Sequence, residues 1–438
     1  MPSKKHIGFF TATSIVIANM IGTGVFTSLG FQVMDIHSLF TLLMLWVVGG
    51  IVALCGALTY GELAAAMPRS GSEYYYLSKI YHPAVGFLSG WVSMTVGFAA
   101  PVAMSAMLLG GYASRVFPEL NETVLAVGVL AILTVVHSMS MKTGGKVQNV
   151  FTLLKVIFIV FIILAGLFAT THQPVSVLPD HQSFSELFSS SFAVGLYWVS
   201  YSYSGWNASA YITGEVENPQ VNVPRSLFRG TLFVMVLYVL INFIFLFCAP
   251  MDKMAGQKEV GFVAANFIFG ETGGRIIGIA IAVLLVSSVS SMIIAGPRVA
   301  QVMGEDLKIF RVFSTKNSNQ VPYIAIIFQS IITLIMILTS SFENILVYIG
   351  FTLNIFLFLT VLGVFVLRYK NPDLPRPYKT WGYPVVPAIF LLVTAWIIYE
   401  GLAMKTKESL EGLATISCGL LVYFADRFIS KEKNNSTI

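Results

Sequence analysis

The sequence predicts an all-α protein that crosses a membrane many times, and three observations predict it. Of 438 residues, 56% are hydrophobic and 11% charged, whereas a soluble domain carries about 25% charge. Twelve apolar stretches are each long enough, at about 1.5 Å per residue, to enter or cross a hydrocarbon layer about 30 Å thick. Two of them, the first and the sixth, are broken by glycine at corresponding places in the two halves of the chain.

In chain order the stretches fall at 8–30, 40–66, 84–113, 123–139, 147–170, 186–213, 227–250, 273–303, 322–341, 343–367, 384–403 and 408–426. The first is interrupted at Ile21-Gly22-Thr23-Gly24-Val25-Phe26. Glycine costs a helix interior about 1 kcal/mol relative to alanine, and freed backbone at membrane depth is tolerated only against protein or a cavity. A break there implies a site, unless Gly22 and Gly24 serve close helix packing alone. With the N-terminus inside, loops assigned to the cytoplasm hold 19 of the 26 Lys and Arg, so both termini are expected in the cytoplasm. The net charge of +5 is then a property of topology and gives no reason to expect nucleic-acid binding.

No small-residue cleavage site follows the basic start at a suitable distance, so the first stretch reads as a retained helix. Cys55, Cys248 and Cys418 lie within the stretches and are expected as free thiols. Gly61 to Leu77 reads as a turn, with Pro68 and Gly71 stopping the second helix. Its tyrosines, Tyr74 to Tyr76, suit the headgroup level. The third and fourth stretches read as scaffold, kinked at Pro101. In the fifth, Lys155 is the basic residue well inside a span. It is either functional or long enough to snorkel to the interface. The sixth carries the second break, Tyr201-Ser202-Tyr203-Ser204-Gly205-Trp206-Asn207, and paired breaks of this kind point to a transporter's binding site. The six histidines have no ligand spacing, and no carboxylate pair or nucleophile motif lies at membrane depth, so neither enzyme chemistry nor a metal or other cofactor is expected.

Several of these motifs resemble a known family. Tyr203 to Asn207, then Glu215, Asn218-Pro219 and Pro224-Arg225, look like the sixth helix and following loop of the L-amino acid transporter family, within the amino acid, polyamine and organocation superfamily. Gly22-Thr23-Gly24-Val25-Phe26 is similar to that family's Gly-Ser-Gly-Ile-Phe. Lys155 matches a lysine of sodium-independent members, Tyr238 a tyrosine of the seventh helix, and Leu367 to Pro387 extends the match along nearly the whole chain. Tyr201 stands where the family's gating aromatic is usually phenylalanine, and the eighth helix keeps the family's small-residue pattern only in part.

The resemblance implies one integral-membrane domain over 1–430 and a short cytoplasmic tail, 431–438. It implies a 5+5 inverted repeat with broken helices 1 and 6, over about 8–170 and 186–367, plus two C-terminal helices within 384–426. It also implies a bacterial plasma-membrane transporter of neutral L-amino acids in a lipid bilayer, exchanging one for another or coupled to protons. The external cysteine that joins an accessory heavy subunit has no counterpart, so no such partner is implied.

At the breaks, freed N–H groups from Gly22 to Gly24 suit an α-carboxylate. Carbonyls near Met20 and from Tyr201, Ser202 and Ser204, beside Gly205, suit an α-ammonium. No Asp, Glu or Arg falls near either break within a span, which favours neutral substrates, with Tyr201, Trp206 and Phe26 bounding the side-chain space. The resemblance implies that Lys155 stands in for a sodium ion between helix 1 and Ser287 or Ser288. Tyr238 is expected to bond the second break or water below the substrate, unless it faces the interface, and Asn207 is a further gating candidate.

Overall fold

The computed structural model describes residues 7–139, 144–170, 172–174, 176–179 and 181–435. Lys4, Lys5 and Lys142, three of the 19 basic residues assigned to cytoplasmic loops, lie outside the described residues, as does His6. Those residues are helical, with one isolated bridge between Ile7 and Val216. Among the described residues, eight helices are long and apolar enough to cross a membrane, and Phe9–Met20 and Tyr323–Thr339 are shorter apolar helices.

The first segment is α1 (Phe9–Met20), a bend, a 3-10 turn at Gly24–Phe26, and α2 (Ser28–Gln32). Next comes α3 (Leu39–Ala66), capped by Ser38, whose hydroxyl accepts from the Thr41 N–H. The expected turn from Gly61 to Leu77 is corrected. Its first residues continue α3, and α4 (Ser72–Ile80) is already helical. Only Met67 to Gly71 form the corner, because Pro68 stops α3 and Gly71 adopts a left-handed φ of 118° that suits glycine. Tyr76 is fully buried, so it is no headgroup anchor.

The third stretch divides into α5 (Pro83–Val92) and α6 (Ala99–Val116) around a π turn at Ser93–Gly97. Pro101 supplies no N–H and its ring crowds the carbonyl four residues back, which is Gly97, where the turn ends. Then follow α7 (Glu122–Met139), α8 (Gly144–Leu167) and α9 (His181–Leu187).

The sixth segment is α10 (Ser190–Tyr203) and α11 (Ala208–Tyr211), with an irregular joint between them. The helix α12 (Pro219–Cys248) begins eight residues before the expected 227, since a proline at the first helical position loses no bond. After α13 (Met251–Met254), α14 (Val260–Asp306) also starts earlier than expected and turns at Gly270, where φ is 74°. The chain ends with α15 (Tyr323–Thr339), α16 (Phe342–Lys370), α17 (Val385–Met404) and α18 (Thr406–Asn435).

Helices from the two halves interleave: α1 and α3 pack on α12, and α6 packs on α14. Close approach needs small residues, and a Cβ on Gly230 of α12 would stand 2.8 Å from the Val16 side chain of α1. The outward faces of α7 and α8, such as Val124, Ile132 and Leu164, are exposed and apolar, as suits a lipid environment.

Candidate functional site

The two breaks lie against each other. A Cβ on Gly24 would overlap the side chain of Ser202, and one on Gly205 would stand 2.8 Å from the Asn19 carbonyl carbon and oxygen. Gly205 also holds φ of 93°, so only glycine serves both the turn and the contact. Gly22 differs, because a Cβ there meets only the Met20 carbonyl, at 3.9 Å. Of the two glycines in the first break, Gly24 is therefore the packing residue and Gly22 the open one.

Hydroxyls fasten the joint. Thr23 Oγ1 and Tyr201 Oη lie 2.8 Å apart, and Ser28 Oγ shares a 2.8 Å hydrogen bond with Ser202 Oγ. Ser202 also donates to the Trp198 carbonyl at 2.7 Å, so its hydroxyl binds helix to helix. Among the described residues, the N–H groups of Thr23 and Gly24 pair with no backbone carbonyl, and that of Gly22 faces the Tyr238 hydroxyl. Buried N–H groups are seldom left unpaired, so those of Thr23 and Gly24 are exceptions at the start of the half-helix.

The carbonyls are less free than expected. Tyr238 donates to the Met20 carbonyl at 2.6 Å and the Ser204 N–H to the Tyr201 carbonyl at 2.9 Å. Each of these oxygens keeps one further lone pair for an ammonium. Tyr238 is fully buried and reaches the first break, not the second, as a 5.7 Å edge contact with Trp46 sets its ring.

Lys155 is 3% exposed and does not extend to the interface. Its Nζ donates to the Ile21 carbonyl at 3.1 Å and to Ser288 Oγ at 2.8 Å. One ammonium thus joins α8, the first break and α14. Ser287 is also buried, but its hydroxyl has no partner among the described residues.

A further expectation is corrected. Trp206 points away from the first break: its ring lies 4.7 Å from that of Tyr60 and 6.2 Å from Phe390. Gly56 on α3 leaves the space its indole fills. A carboxylate from outside the spans reaches the second break, where Asn207 Nδ2 donates to Glu73 Oε1 at 2.5 Å. Phe26 lies toward α8, its ring 6.3 Å from that of Phe158, and its carbonyl accepts from the Tyr112 hydroxyl at 3.1 Å.

Residues 7–410 match the amino acid permease family model, which is most of the chain. The chain belongs to the amino acid permease family. The permease is 29% identical over 429 residues to the serine/threonine exchanger SteT of Bacillus subtilis, covering 96% of both chains. It is 29% identical to the human large neutral amino acids transporter small subunit 2, over 96% of this chain and 80% of that one. To the human b(0,+)-type amino acid transporter 1 it is 27% identical, over 96% and 88%.

Sequence reasoning missed the groups that brace the permease around its breaks. Glu62, 1% exposed, accepts from Arg368 Nε and Nη2 at 2.8 and 2.7 Å and from the Thr380 N–H and hydroxyl, both at 2.8 Å. On the other face, Arg115 bonds Glu259 at 3.2 Å, and the Gly256 N–H bonds the Gly30 carbonyl at 2.8 Å. Glu62 was legible as a lone acid near the end of an apolar run. Its partners, about 300 residues away, were not.

Proposed function

We propose that this permease is a sodium-independent exchanger of neutral L-amino acids that works by alternating access in the bacterial plasma membrane. In this reading the chain is a transporter and not an enzyme. It spans the membrane twelve times as a 5+5 inverted repeat plus two helices, with both termini in the cytoplasm. The observation that carries the reading is the joint at Thr23 and Tyr201, beside which the N–H groups of Thr23 and Gly24 pair with no backbone carbonyl.

A zwitterion suits that joint. Its carboxylate would meet the N–H groups from Gly22 to Gly24 at a positive half-helix end. Its ammonium would meet the second lone pairs of the Met20 and Tyr201 carbonyls, with Ser202, Ser204 and Gly205 completing the wall. Binding by backbone avoids burying an unpaired charged side chain. Lys155 supplies a fixed positive charge at the Ile21 carbonyl and Ser288, where a sodium-coupled transporter would need an ion. The relative named a serine/threonine exchanger favours exchange over uptake.

Counterflow in proteoliposomes tests this. Radiolabelled L-serine and L-leucine should enter only when the lumen holds unlabelled amino acid, and removing sodium should change nothing. A second reading, proton-coupled uptake, is favoured by one feature, the buried titratable amine of Lys155. It requires accumulation in empty vesicles under an imposed pH gradient.

A further inference from the structure

We infer that Glu73 is a positioning residue of the transport cycle. It holds the α11 half of the second break in the state closed on the side of the α3–α4 corner, and lets it go when that side opens. The inference rests on the transporter reading above.

Three contacts join the corner and the start of α4 to the end of the second break and the polypeptide after it. The Gly71 N–H donates to the Tyr211 carbonyl at 3.2 Å, the Gly214 N–H donates to Ser70 Oγ at 2.9 Å, and Asn207 Nδ2 donates to Glu73 Oε1 at 2.5 Å. Tyr60 of α3 donates to the same Oε1 at 2.8 Å, and the Tyr211 hydroxyl faces the same carboxylate. A single oxygen thus gathers α3, α4 and the joint before α11.

The chemistry of that gathering is specific. Glu73 is 5% exposed and, among the described residues, pairs with no Lys, Arg or His. A buried carboxylate without a cation depends on its hydrogen bonds, and bonds to an ionised acceptor are stronger than neutral ones. Every partner supplies a neutral N–H or O–H, so the carboxylate gains nothing from its surroundings except by keeping these donors in place. The exit of the corner into α4 is strained at Ser72, which holds φ of 43°. Non-glycine residues seldom occupy the left-handed region, and strain of this kind persists only where neighbouring bonds hold it. Separating α11 from the corner therefore exposes the carboxylate to water, which hydrates it, and frees the strained turn. Asn207 accordingly acts through Glu73, as part of the clasp.

A clasp that favours one closed state makes a prediction with sidedness. Apparent affinity falls in proportion to the population of the competent state. Loosening the clasp should lower KM on the corner's face and raise it on the opposite face. The experiment measures L-serine and L-leucine exchange in oriented proteoliposomes, varying substrate on each side in turn, for wild type, Glu73→Ala, Glu73→Gln and Tyr60→Phe. We expect Glu73→Ala to move the ratio of the two KM values at least tenfold. Tyr60→Phe, which removes one donor, should move it severalfold in the same direction, and Glu73→Gln, which retains an acceptor oxygen, should restore most of the wild-type ratio. Should Glu73→Ala not fold, Tyr60→Phe decides the matter alone. An unchanged ratio, or KM values that move together on both faces, overturns the inference and leaves Glu73 with a role in stability only. If the wild type exchanges neither amino acid, the functional reading fails first and the inference with it.

Discussion

The hydroxyls of Thr23 and Tyr201 lie 2.8 Å apart although 178 residues separate them in the chain. They cross from one interrupted segment to the other at the depth where both backbones leave helical geometry. Replacing Tyr201 with phenylalanine keeps the ring and removes the bridge. Losing a buried hydrogen bond costs about 1 kcal/mol. L-serine or L-leucine affinity, measured by equilibrium binding, should weaken about fivefold, with expression near wild type. Unaltered affinity would mean that the bridge plays no part in shaping the site.

Gly22 and Gly24 should respond differently to the same substitution. Gly24→Ala drives a methyl group into Ser202, and overpacking of this kind costs about 1–3 kcal/mol, so both thermal stability in detergent and transport should fall. Gly22→Ala has space. It should leave the melting temperature within about a degree while weakening binding by crowding the N–H edge. Equal loss of stability in both variants would contradict the division of labour between them.

Lys155→Ala leaves the Ile21 carbonyl and Ser288 without their shared donor. Transport should fall at least tenfold while the protein remains monodisperse on size exclusion, and Lys155→Arg should recover part of it only if the bulkier fork fits between α8 and α14. Flux at the wild-type level in Lys155→Ala would show that the three elements move correctly without a charge between them.

Glu62 and Arg368 predict a stability effect without a binding effect. Removing one partner of a buried pair costs on the order of 3–5 kcal/mol, at the lower end here because Thr380 and Arg376, 3.5 Å from the carboxylate, remain. Arg368→Ala should lower the melting temperature in detergent by several degrees, and Glu62→Gln by at least as much, since it leaves the buried Arg376 guanidinium without a counter-charge. A Kd for amino acid that changes in step with the melting temperature would instead place this cluster within the site. Nearby, the Tyr378 hydroxyl is pushed up to about 12, chiefly by burial. No loss of stability from its ionisation is expected at any pH below about 10.

The apolar runs located the helices because a membrane requires every backbone group to be satisfied within the segment. The breaks were legible because glycine and small polar residues contradict that requirement. Lys155 stood out for the same reason. The directions of side chains were not legible. Trp206 turns toward Tyr60 because Gly56 opens a space on α3, and Tyr238 finds Met20 across 218 residues. No local pattern encodes either. Glu73 lay within a short Ser70-x-x-Glu73 spacing that usually marks a helix cap. Here Ser70 instead accepts from Gly214, so the motif was visible and its use was not.

The bridge between Thr23 and Tyr201 also sets an order of events during synthesis. A ribosome adds about 5–20 residues per second, so the 178 residues between the two partners take roughly 10–35 s to make. For that interval the first interrupted helix exists without its counterpart, with the N–H groups around Gly22 lacking both substrate and the opposing break. The nascent first half stays unfinished until the second half arrives to complete it.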